Sequence, residues 1–227
     1  MTSLLDKLDR IEGEAGLGAI LLLLLLTMFV VSPAVATGAL PLTFVEYLRF
    51  ALAAITVIVV AQTARVRLLV AIAFIGTVLA SMHWRVGEPP ATVWAIKLGL
   101  GLMFDVVVAG TVAVVAFGPG RVTVFRILGA VILYLYVALI FAGLFRIEAQ
   151  FLANAFSNLP ESASQRFSSL LAFSLGALTT NGGGDISALH PLARSLANLE
   201  AVIGQLFPAT LLARLVTLHA AGNTESD

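Results

Sequence analysis

Apolar residues in this chain fall in long, nearly uninterrupted blocks rather than at alternating or every-third positions. A helix needs about 20 residues, at about 1.5 Å each, to cross the hydrocarbon layer of a bilayer. Six blocks come near that length: Leu17–Thr37, Phe44–Gln62, Leu68–Met82, Val93–Phe117, Val122–Phe145 and Pro191–Leu218. The third is short and predicts local bilayer thinning or a small tilt. A seventh stretch, Phe167–Thr179, is too short to cross and has the length of a re-entrant or buried helix. The pattern predicts an all-α polytopic membrane protein of six transmembrane helices, with a half-length helix between the fifth and sixth.

The first block also fits a secretory signal, because Ile20–Val31 could serve as its apolar region and Pro33-Ala34-Val35-Ala36 as a small-residue cleavage site. The preceding segment argues against this. It carries Asp6, Asp9, Glu12 and Glu14 beside only Lys7 and Arg10, where a signal needs net positive charge. The block is therefore read as a membrane helix. Leu4, Leu5, Leu8 and Ile11 are spaced for a short amphipathic interfacial helix within residues 1–16.

Composition agrees with this division. Of 227 residues, 59% are hydrophobic and 11% charged, with a mean hydropathy of +1.02, far from the soluble average. Thirteen Lys and Arg balance thirteen Asp and Glu, so no basic excess points to nucleic acid. The lack of cysteine removes disulfides, thiolate zinc sites and thiol catalysis. With the N-terminus cytoplasmic, Lys7, Arg10, Arg65, Arg67, Arg121, Arg126 and Arg214 all fall inside, and the short outer loops hold only Arg85. This bias predicts cytoplasmic N- and C-termini. His83, Trp84 and Trp94 flank one outer loop, where indole rings favour the headgroup region.

After the seventh stretch the chain reads Thr179-Thr180-Asn181-Gly182-Gly183-Gly184-Asp185, and Pro191 opens the last block. In an arbitrary protein this composition is an ordinary turn, and it lacks the Gly-Lys-Ser/Thr ending of a phosphate-cradling loop. Its position suggests more. Irregular backbone is tolerated at membrane depth only where protein buries it or a water-filled cavity adjoins it. Glycines there would allow consecutive carbonyls to approach one axis and replace an ion's hydration shell.

These residues resemble the filter of the tetrameric pore-loop potassium channels, usually written Thr-Val-Gly-Tyr-Gly-Asp. Thr180, Gly182, Gly184 and Asp185 match that frame, and Thr179 is the second threonine that often precedes it. Pro191 and Arg194 resemble the outer end of the family's inner helix, and Gly204 stands where the family commonly has a gating-hinge glycine. The run from Pro191 to Leu206 is similar to small bacterial members. The resemblance covers about residues 122–218 and implies a bacterial inner-membrane protein with a pore helix containing Phe173 and Thr179. It further implies a filter of Thr180, Asn181, Gly182, Gly183 and Gly184, an outer mouth at Asp185, and a hinge at Gly204. One pore loop cannot encircle an ion, so four chains around an axis are expected. The expected ligands are permeant K+ or Na+, with no cofactor and no other metal.

The departures carry information too. Asn181 and Gly183 replace the usual Val and Tyr, and Gly183 cannot brace the filter against the pore helix, which offers Phe173 but no Trp. This predicts a cation pathway of less than strict potassium selectivity. Residues 17–117 would form a four-helix bundle without a voltage sensor, since Val93–Phe117 holds only Lys97 and the oppositely charged Asp105 instead of an arginine ladder. Glu46 and Lys97 could pair at similar depth, or each could reach the interface. Asp105, near mid-membrane, and Glu200, on the last helix, are candidate structural or gating acids. Residues 219–227 form a tail too short for a ligand-binding domain. The competing functions are a secondary transporter, although residues 17–117 and 122–218 show no inverted repeat, and a non-conducting membrane scaffold derived from a channel fold. An enzyme is disfavoured, because no nucleophile elbow and no HExxH occurs.

Overall fold

The computed structural model describes residues 16–41, 91–118, 124–182 and 184–224, with isolated residues between positions 44 and 75. The amphipathic N-terminal segment, most of the expected second and third spans, Glu46, Arg49, His83, Trp84 and Gly183 lie outside the described residues. Four described helices are long and apolar enough to cross a membrane: Gly16–Ala36, Thr92–Val114, Arg126–Phe151 and Pro191–Ala213.

Helix α1 (Gly16–Ala36) is regular until Thr27–Val31, where it widens by one residue and the Ser32 N–H reaches the Thr27 carbonyl. Pro33 accounts for this, since it has no N–H and its ring crowds the carbonyl four residues back. Leu17, Ile20, Leu24, Met28, Val31 and Val35 recur at helical spacing and are buried in the core.

Helices α2 (Ala91–Phe117) and α3 (Val124–Phe151) pack antiparallel. Gly129 lies against Ala116 and Val112, and Gly143 against Leu102, so contacts climb one helix as they descend the other. A side chain at Gly129 would crowd Ala116 (3.2 Å), whereas one at Gly143 would meet the end of the Leu102 side chain, which can turn aside; close approach at small residues is common in membrane packing. Helix α3 continues beyond Phe145, where the apolar block ends, through Arg146, Glu148 and Gln150. These polar residues are good helix formers, and the turn closes with Leu152 N–H on the Glu148 carbonyl.

Strand β1 (Phe156–Ser157), helix α4 (Ala163–Leu178) and strand β2 (Ser187–Ala188) follow, and helix α5 (Pro191–Thr224) ends the described chain. The two strands pair antiparallel, Phe156 with Ala188 and Ser157 with Ser187. The chain therefore leaves this point, runs through α4, and returns to the same point before α5 begins. Leu189 N–H on the Ala155 carbonyl (2.9 Å) and Arg194 Nε on the Ala188 carbonyl (2.9 Å) fasten the return.

The core is divided between two clusters. One joins α1, α2, α3 and the inward face of α4 through Leu17, Val112, Ile132, Tyr136, Leu171 and Leu178. The other, beside the strand pair, gathers Phe141, Phe145, Phe156, Leu170, Phe173 and Ile186. Helix α5 differs from the rest: only 11% of its apolar stretch is buried, against 39–44% for the other three.

Candidate functional site

Helix α4 ends deep beside α5. Gly204 meets the α4 terminus directly, and a Cβ there would strike the carbonyl oxygen of Leu178. Gly204 lies thirteen residues past Pro191, so the end of α4 sits about 20 Å along α5. A helix of 16 residues thus ends against α5 at the buried Leu178, and the chain becomes exposed from Thr179 onward.

Backbone groups at such an end must find partners. Leu175 O accepts from Thr179 N–H (3.0 Å) and the Thr179 hydroxyl (2.7 Å), Gly176 O from Asn181 N–H (2.8 Å), and Ala177 O from Thr180 N–H (3.1 Å). Leu178 O accepts from the Tyr134 hydroxyl on α3 (3.3 Å). The bonds from Asn181 to Gly176 and from Thr180 to Ala177 are those of a Schellman cap, whose left-handed residue is usually Gly. Here it is Thr180, at φ +57°. A left-handed backbone costs a β-branched residue about 1–2 kcal/mol. The Thr180 hydroxyl donates to Thr179 O (2.7 Å) and accepts from Gln205 Nε2 on α5 (3.0 Å).

The expected filter residues are thus distributed as follows. Thr179, Thr180 and Asn181 form the cap of α4, and Gly182 (φ +90°) and Gly184 (φ +65°) use left-handed backbone that side chains disfavour. Thr179 to Gly182, Gly184 and Asp185 are exposed. The Asp185 carbonyl accepts from Asn158 Nδ2 (3.1 Å), which ties the outer end of the glycine-rich segment to the loop before α4.

Glu200 and Ser174 meet behind that segment, both fully buried. Ser174 Oγ lies 2.5 Å from Glu200 Oε1 and 2.7 Å from Ala138 O, so α5, α4 and α3 share one polar contact. A serine hydroxyl has one proton. Both contacts are full hydrogen bonds when Glu200 is a carboxylic acid donating to Oγ while Oγ donates to Ala138. Among the described residues Glu200 Oε2 has no hydrogen-bond partner.

Phe173 packs edge-to-face on Phe145 (5.0 Å between ring centres) and Phe156 (5.4 Å), and Phe145 meets Phe141 at 6.2 Å. This cluster braces α4 from α3 and β1, a role for which the sequence offered no tryptophan. Arg146 covers the Phe167 ring at 5.6 Å. Asp105 is buried on α2 at 5% exposure, away from the glycine-rich segment in sequence and in element order. His190 caps α5, its Nδ1 accepting from Leu192 N–H (3.2 Å).

Gly204 and Pro208 are linked through the α5 ladder. Pro208 has no N–H, and the carbonyl it would serve is that of Gly204. Phe207 beside it packs on Tyr134 (5.5 Å) and Phe117 (6.0 Å).

Ser174, Tyr134, Gln205 and Asn158 escaped the sequence reading. Ser174 had a signal, because it shares the buried stripe of Leu170, Leu171 and Leu178 at helical spacing, where a hydroxyl demands a partner. No protein-family model, curated protein or solved structure matches this chain.

Proposed function

We propose that this chain is one subunit of a passive cation channel, permeable to potassium with less than strict selectivity, assembled from four copies around the Thr179–Asp185 segment. The reading rests on one observation above others. The chain departs from the strand pair, sends a half-length helix to a point about 20 Å along α5, and returns through glycines to its starting point. Exposed backbone at membrane depth is tolerable only where protein covers it or water fills a pathway.

Two further features support it. The C-terminal end of a helix carries partial negative charge, and α4 directs that end toward the glycine-rich segment, where it favours a cation. The exposed glycines adjoin α5, the least covered of the four described long helices, the surface that further copies would line. In this reading α4 is the pore helix, α5 the inner helix, and Asp185 the rim of the outer mouth, with six spans per chain and both termini cytoplasmic. The released Gly204 carbonyl, opposite Pro208, supplies the weak point a gating hinge needs.

The satisfied carbonyls of the α4 cap favour a second reading, a non-conducting scaffold, since a capped carbonyl is less available to an ion. Purified protein reconstituted in planar bilayers, with ion replacement, separates the two. Discrete openings with a cation-dependent reversal potential support the channel; intact tetramers that stay silent under varied stimuli support the scaffold. Slow, saturable flux without unitary openings would indicate a transporter.

A further inference from the structure

Thr180 combines an unfavourable backbone with a hydrogen bond from a side chain of another helix. Thr180 adopts a left-handed backbone at the end of α4, where glycine is usual, and Gln205 on α5 donates to its hydroxyl at 3.0 Å. The donor assignment follows from the remaining contacts. The single Thr180 hydroxyl proton goes to Thr179 O at 2.7 Å, so the group facing Oγ1 must be the Gln205 amide nitrogen. Gly204 comes next to Gln205, and its lack of a side chain lets α5 approach the Leu178 carbonyl closely enough for that bond to form. Glycine for approach and glutamine for the bond act as one grip on the α4 terminus.

We propose that Gln205 is a positioning residue for the permeation pathway: it holds the Thr180 backbone left-handed and thereby decides which atoms the segment presents to a cation. The inference rests on the channel reading and extends it to a residue outside the glycine-rich segment. It also couples the two halves of the pore unit, because a shift of α5 at Gly204 carries Gln205 with it and releases Thr180 toward the extended backbone that β-branched residues prefer.

The test uses the full chain in bilayers with two readouts, the potassium-to-sodium permeability ratio and the solid-state NMR ¹³C shifts of Thr180. Gln205→Leu keeps much of the side-chain volume and removes the donor, and Thr180→Val keeps the shape and removes the hydroxyl. Each is expected to move the ratio about fivefold, the factor corresponding to one lost hydrogen bond, and the double variant no further than either single one. Thr180→Ser keeps the hydroxyl that Gln205 binds, so the backbone shifts at position 180 are expected to stay in the left-handed range, which a general loss of structure would not arrange. The Thr180 shifts are expected to leave the left-handed range in Gln205→Leu. A conducting wild type whose ratio is unmoved in Gln205→Leu and Thr180→Val overturns the inference and leaves the channel reading standing. If the wild type is silent the channel reading fails, and the shifts decide by themselves: unchanged shifts in Gln205→Leu overturn the positioning role, displaced ones support it.

Discussion

Glu200 Oε1 lies 2.5 Å from Ser174 Oγ, with both residues fully buried and the Ala138 carbonyl 2.7 Å beyond. This contact joins the helix that would line the pathway to the one that would support the filter. Replacing Ser174 by Ala strands the Glu200 carboxyl, while the Ala138 carbonyl keeps its place in the helical ladder, and is expected to destabilise the protein by about 1–3 kcal/mol. Glu200→Gln keeps a donor for Ser174 and is expected to stay near wild type, whereas Glu200→Ala leaves both a cavity and an orphaned hydroxyl. Thermal unfolding in detergent would measure the order. A Glu200→Gln protein as unstable as Glu200→Ala would exclude a neutral acid at this site.

Gly204 touches backbone, which cannot rotate away. Gly204→Ala is therefore expected to cost toward the upper end of the about 1–3 kcal/mol typical of overpacking. It should also separate α5 from the α4 terminus, and cysteine crosslinking between positions near 178 and 204 would detect the separation. A stable Gly204→Ala protein with unaltered crosslinking would contradict the close approach.

Phe173 is held by Phe145 and Phe156 in edge-to-face contacts. Truncation to Ala is expected to destabilise by about 3–5 kcal/mol, while Phe173→Leu retains much of the buried area and loses the ring geometry, worth about 0.5–1.5 kcal/mol per aromatic pair. Detergent melting curves of the two variants would show whether shape or area dominates.

Pro208→Ala restores a donor to the Gly204 carbonyl. It is expected to stiffen α5 and to shorten channel openings if bending there accompanies gating; single-channel dwell times are the measurement. Identical dwell times would remove the hinge role from this point.

Replacing Asn181 by Val and Gly183 by Tyr restores the filter wording that this chain resembles. The potassium-to-sodium permeability ratio is expected to rise. A conducting double variant with the wild-type ratio would show that the residues do not occupy that frame.

Much of this chain can be read from order along the sequence alone. Long apolar blocks such as Leu17–Thr37 and Pro191–Leu218 must become helices, because hydrocarbon offers no partner for an open backbone. The half-length stretch before the glycines was legible for the same reason, by failing to reach the span length. Most of the third block, and Glu46 in the second, lie outside the described residues.

Partners across the fold were not legible. The sequence contains Ser174, Ala138 and Glu200 at separations of 36 and 26 residues, and nothing local brings them together. Their meeting depends on the strand pair of Phe156 and Ala188, two-residue strands too short to carry a periodic signal. Gly204 was legible as a glycine in a helix, and only the packing of α4 against it shows what its missing side chain makes room for. Thr180 shows the same limit from the other direction. Its sequence position marks it as filter-like, but it takes the left-handed backbone of the α4 cap, with Gln205 bonded to its hydroxyl, against its own β-branched preference. Hydrophobic length is a local property, and the sequence by itself determined the helices; hydrogen-bond partnership at depth belongs to the whole fold, and only the tertiary structure decided it.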